Sequence, residues 1–152
     1  MEGIFAAVKL RSIPTALKMF ILAFLFLLTS GVTTGLFYLY QTTEMSATGT
    51  AEHYRGSGRA DADFPEIREK YPKSLAEMLL TTHNHWIGFS FIFFLLGGVF
   101  YFSSIVTDRL KYILMTESFV SVWLTFASIW AMRFIDPLFV YLSIVTAVIT
   151  YV

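Results

Sequence analysis

Two of the three histidines in this 152-residue chain fall in Thr82-His83-Asn84-His85-Trp86, and histidine is the side chain best suited to ligate haem iron or a metal near neutral pH. On a strand, an H-x-H pair faces one way and chelates copper or zinc. On a helix, positions i and i+2 lie ~200° apart, so His83 and His85 are expected to diverge rather than share a metal. Counted by sevens, His83, Ser90, Gly97 and Ser104 share a small-residue face, which predicts that His83 looks inward. His85 lies on another face, with Gly88 one turn deeper and room there for a flat cofactor or a partner helix. Two readings stay open. Either ring ligates haem b or touches a quinone or metal, or both hydrogen-bond the neighbouring loop and lipid headgroups. A haem held from both sides needs a second axial group, for which the chain offers His53, Met45 and Met78.

Glu117 is the other conspicuous residue. With Ser121, Thr125 and Ser128 it follows helical spacing and forms a polar stripe that should face protein. A carboxylate within a membrane span costs a few kcal/mol on insertion scales and marks a proton path or an ion pair, unless it snorkels to the boundary past Lys111. Gly31-Val32-Thr33-Thr34-Gly35 is a GxxxG, expected to pack against another helix of the chain. Arg133 and Asp136 are spaced to neutralise each other.

The elements that must position these residues are membrane helices. The chain is 56% hydrophobic and only 14% charged, against about 25% charged in a soluble domain. Eleven basic residues balance eleven acidic ones, which leaves no electrostatic footprint for nucleic acid. Zero cysteines exclude disulfides, iron-sulfur clusters and thiolate zinc sites. No nucleophile-base-orienter set or phosphate-binding glycine loop is present, which argues against a hydrolase or transferase. Without an inverted repeat or an ion filter, a transporter ranks below an electron-transfer or accessory subunit.

The hydropathy pattern predicts an all-α, integral membrane four-helix bundle forming one domain over residues 1–152. Its helices cover about residues 15–40, 75–106, 112–132 and 138–152, and residues 41–73 form one extramembrane loop. Ser12 and Pro14 are helix-start signals, and Ser74-Leu75-Ala76-Glu77 fits a capping box. Asp108-Arg109-Leu110-Lys111 reads as a tight joint. Lys9, Arg11, Lys18, Arg109 and Lys111 fall on one side, predicting cytoplasmic termini and the loop outside, although Arg55, Arg59, Arg68, Lys70, Lys73 and Arg133 lie opposite. The last segment is shorter than a usual span, so residues beyond Val152 are expected.

His53-Tyr54-Arg55-Gly56, Tyr71-Pro72-Lys73-Ser74, Thr82-His83-Asn84-His85 and Arg133-Phe134-Ile135-Asp136-Pro137 resemble a group of small bacterial four-helix membrane proteins. That group has a Tyr-Arg-Gly loop and an H-x-H at the second helix, and some members carry a translation elongation factor label that nothing here supports. The resemblance covers most of the chain from Tyr38 onward. It implies the four-helix architecture and highlights Tyr54, Arg55, Lys73, His83 and His85. A further histidine common deeper in that group's second helix is absent from Leu96-Gly97-Gly98-Val99-Phe100. The expectation is a small subunit of a respiratory or photosynthetic electron-transfer complex in the bacterial inner membrane, contacting haem b or quinone beside other membrane subunits. The alternative is a noncatalytic accessory or anchoring subunit.

Overall fold

The computed structural model describes residues 13–57, 70–103 and 105–151. Lys9, Arg11, Ser12, Arg59, Arg68, Ser104 and Val152 lie outside them. Among the described residues the protein is all-helical, in the order α1 (Thr15–Thr43), α2 (Ala47–Arg55), α3 (Leu75–Tyr101), α4 (Asp108–Phe134) and α5 (Phe139–Thr150). Three of these, α1, α3 and α4, are long and apolar enough to cross a membrane. At 27 residues each, α3 and α4 rise ~40 Å against a ~30 Å hydrocarbon core, whereas the 12 residues of α5 rise only ~18 Å. Three full spans and a half-length α5 therefore stand where four spans are expected.

The expected extramembrane loop contains a helix. Ser46 starts α2 by accepting a hydrogen bond from the Gly49 amide at 2.9 Å, satisfying an otherwise orphaned donor. Glu44 and Met45 adopt left-handed backbone with φ of 54° and 49°, turning the chain sharply out of α1. Gly49 makes the turn possible, because a Cβ there would collide with the Thr43 carbonyl oxygen. The capping box at Ser74 forms as expected. Its hydroxyl accepts from the Glu77 amide at 3.2 Å, and the Ser74 amide donates to Glu77 Oε2 at 2.8 Å.

The joint before α4 lies earlier than expected. Ser103 donates its amide to Phe100 and its hydroxyl accepts from Ile105, drawing the backbone out of α3. Asp108 to Lys111 then form the first turn of α4, closed by a Lys111 Nζ to Asp108 Oδ1 contact of 3.3 Å. The closest packing joins α4 and α5; Val122, Phe126 and Met132 of α4 and Val140 of α5 are buried, with Phe126 against His85 of α3. Helix α4 packs on α2, α3 and α5, and α2 also packs on α5, while α1 packs on α2 and stands off from α3, α4 and α5 among the described residues.

Candidate functional site

At the α2 end of the bundle, polar side chains satisfy the backbone where helices terminate. Arg55 donates from Nη1 to the Met132 carbonyl at 2.7 Å, placing a cation at the C-terminal end of α4 where the helix dipole favours one. Arg133 does not pair with Asp136. Its Nε donates to the Lys73 carbonyl at 3.1 Å and its guanidinium lies over the Phe134 ring, while Asp136 accepts from the Leu138 amide at 2.7 Å. Each charge is more useful closing a chain end than facing its neighbour. Trp130 donates from Nε1 to Thr82 Oγ1 at 2.9 Å and ties α4 to α3. No sequence spacing signals that contact.

His53 and Tyr54 belong to this collar. The His53 ring lies edge-on to Tyr38 of α1 and to Tyr54. Burial, then Lys73 and Lys70, push its pKa below the usual value, with Glu77 opposing. Burial raises the Tyr54 phenol, and the Tyr54 carbonyl accepts from the Lys73 amide at 3.0 Å. These residues hold α1, α2 and the start of α3 together, and neither His53 nor Tyr54 lines the two cavities beside α1.

Two cavities lie between α1 and the other helices. One compartment of about 510 Å³ has Gly31 and Gly35 of α1 on one wall and Asn84, His85 and Gly88 of α3 on the other. A second, of about 640 Å³, reaches Gly97, Glu117 and Ser118. Leu28, Val32, Phe89, Ile92 and Tyr151 line both, so the two adjoin. A Cβ added at Gly31, Gly35 or Gly88 would meet nothing within 4 Å. The GxxxG therefore walls a cleft instead of packing on a helix of the same chain.

His83 and His85 part company here. Both are exposed, but His83 makes no hydrogen bond or ring contact among the described residues, contrary to the expected inward face. That face splits, because a Cβ added at Gly97 would lie 3.3 Å from Met115 Cε of α4 while His83 projects beyond the packing. His85 lines the cleft with its ring 5.4 Å from that of Phe126. Its Nδ1 is 2.8 Å from the Thr81 carbonyl, which can only accept, so Nδ1 carries a proton. In the neutral ring Nε2 then keeps its lone pair, and no hydrogen bond among the described residues engages it. Donation of one ring N–H to a carbonyl is how ligating histidines are commonly oriented. As second axial groups, His53 lies in the collar, Met78 is buried at 2% exposure, Met45 is exposed, and none of them lines the cleft.

The polar stripe of α4 faces α5. Ser121 accepts from Thr150 Oγ1 at 2.9 Å and Thr125 donates to Thr146 at 2.9 Å, with Ser121 and Thr146 exposed by only 4% and 5%. Matching i, i+4 hydroxyls on both helices form a ladder that lets their backbones approach. The partners Thr146 and Thr150 were visible in the last segment as the same spacing. Glu117, at the foot of the stripe, lines the second compartment and makes no hydrogen bond or ion pair among the described residues.

Apolar spans, interhelical hydroxyl ladders and polar groups gathered at helix ends define a small multi-pass membrane protein with a transmembrane helical domain. Residues 44–152 match the Aq_1264_TM family, described as a transmembrane helical domain, and the chain belongs to that family. Comparison with curated proteins and with solved structures finds no match. The matched region starts at the residue following α1, so it coincides with elements α2 to α5, of which α4 packs on the other three.

Proposed function

We propose that this protein is a small membrane subunit of an electron-transfer complex, respiratory or photosynthetic, in which His85 contacts a lipophilic redox group in the cleft beside α1. The observation that carries the reading is His85 itself, which lines an apolar cleft of about 510 Å³ and whose Thr81 contact through Nδ1 leaves Nε2 with its lone pair. Ligand sites have this form, a few hundred cubic ångströms of apolar wall with few polar groups. The group is haem b or a quinone. A haem would take His85 as its ligand from this chain and its second axial group from another subunit, or remain five-coordinate. Lys18, Arg109 and Lys111 at the end away from α2 support cytoplasmic termini in a bacterial inner membrane.

The second reading is a noncatalytic anchoring subunit, favoured by the unpacked length of α1, which offers an apolar surface to other membrane subunits. Absorption spectra of the detergent-purified full chain, oxidised and reduced, with solvent extraction of bound quinone, separate the two. A b-type band or retained quinone, lost in His85→Ala and kept in His83→Ala, supports the electron-transfer reading. Protein purified from its native membrane with neither group, yet bound to a larger complex that both variants still join, overturns it in favour of anchoring.

A further inference from the structure

The shape of the cleft narrows the ligand class, an inference that rests on the His85 reading above. Three features bear on it. The two compartments adjoin through Leu28, Val32 and Ile92, and the α3 wall runs from Asn84 to Phe100, ~24 Å along the helix axis. A flat macrocycle would occupy only one end of so long a space. Hydrogen-bonding groups also stand at the ends, with Asn84 and His85 at one and Glu117 and Ser118 at the other, while the stretch between is aliphatic and aromatic, its polar group being the phenol of Tyr151, which lines both compartments. No Lys or Arg stands among the described residues lining either compartment, so the carboxylates of a haem would meet no cation there. Finally, Nε2 of neutral His85 accepts a hydrogen bond and does not donate one. A quinol hydroxyl matches it, whereas a quinone carbonyl would face it lone pair to lone pair.

We propose that the cleft binds a long-tailed isoprenoid quinol, its ring hydroxyl donating to His85 Nε2 and its tail running between α1 and α3 toward Glu117. The tail lies against Leu28, Val32 and Ile92, and the missing side chains of Gly31, Gly35 and Gly88 leave space for the ring. Because lipid is as apolar as these walls, the tail adds affinity by packing rather than by leaving water.

The full chain in detergent, titrated anaerobically with short-tailed (decyl) and long-tailed ubiquinols and menaquinols and read by tryptophan fluorescence, tests this. We expect the long-tailed quinol to bind several-fold tighter than the decyl form, and each quinol tighter than its quinone. His85→Phe should weaken both quinols about tenfold, the scale of one hydrogen bond. In Leu96→Trp, which obstructs only the second compartment, the two tail lengths should bind alike. Gly31→Leu fills the ring space from α1, where an added Cβ meets nothing within 4 Å, and should weaken both without disturbing the fold. Equal affinity for the two tails in the unmodified protein overturns the tail path and leaves the His85 contact standing. A b-type band with no quinol binding overturns the quinol in favour of haem, and absence of both removes the electron-transfer reading with it.

Discussion

Arg55→Met should destabilise the protein more than any other single loss of charge in the collar. The carbonyl of Met132 lies in the last turn of α4, and Met132 is 0% exposed. The amide that would ordinarily reach this carbonyl, that of Asp136, donates instead to Ala131 at 3.1 Å, as does the Ile135 amide at 2.7 Å. Arg55 Nη1, at 2.7 Å, is therefore the donor that satisfies a buried acceptor. A hydrogen bond from a charged group contributes ~1.5–3 kcal/mol, and a cation at a helix C-terminus adds ~0.3–1 kcal/mol. Met keeps the stem and removes both terms, so we expect a loss of about 2–3 kcal/mol. Arg55→Lys keeps the charge but offers a single compact donor, and should fall between. As a control, Lys70→Met breaks the 3.6 Å contact to Glu52, with the two side chains 37% and 41% exposed, and the long 3.5 Å contact to the Thr42 carbonyl, and should cost less than ~1 kcal/mol. Unfolding by titration with sodium dodecyl sulfate in mixed micelles measures all three. Arg55→Met within ~0.5 kcal/mol of the unmodified protein, or a larger effect from Lys70→Met, would refute the accounting.

Two further outcomes follow from the same end of the molecule. Ser74→Ala removes one half of the capping box and should cost ~1 kcal/mol, seen as faster hydrogen exchange at the Glu77 amide while the rest of α3 stays protected. His53 should make stability fall with acid. Its folded pKa lies below the ordinary 6.5, so as pH drops from there the unfolded chain takes up a proton that the folded protein resists, and stability declines until the lowered value is passed. Above that window His53 contributes no slope. Denaturation measured across pH should show the decline, His53→Phe should remove it, and an unchanged slope in that variant would sink the assignment.

Features decided within a turn or two of sequence were legible. The Ser74 capping box needs only residues three apart, and the stripe of Ser121, Thr125 and Ser128 needs only helical spacing. The face carrying His83 was misjudged for a reason particular to membranes. In water, apolar periodicity marks the buried side. In lipid both the packed and the exposed sides are apolar, and a small-residue stripe shows where a helix can be approached without saying that anything approaches it. Gly97 does meet Met115, while Gly31 and Gly35 meet nothing within 4 Å. The α2 helix was hidden differently. Its Gly- and Thr-rich sequence has poor helix propensity, and the Ser46 cap and contacts to α1, α4 and α5 carry it.

The division of the cleft between two parts of the chain follows from the same joint. His85, Gly88 and Glu117 lie within the matched domain, whereas Gly31 and Gly35 belong to a helix that precedes it. Because α1 stands off from α3, α4 and α5, packing along its length does not set its distance from His85. What sets it is the turn through Glu44 and Met45, the close approach of Gly49 to the Thr43 carbonyl, and the Lys70 Nζ to Thr42 carbonyl contact of 3.5 Å. Each of these lies at one end of a 29-residue helix, so a small change of angle there moves the far end by many ångströms. The width of the cleft beside His85 is thus governed by the α1–α2 joint, and the compartment near Glu117, farther from that joint, is the part whose width responds most.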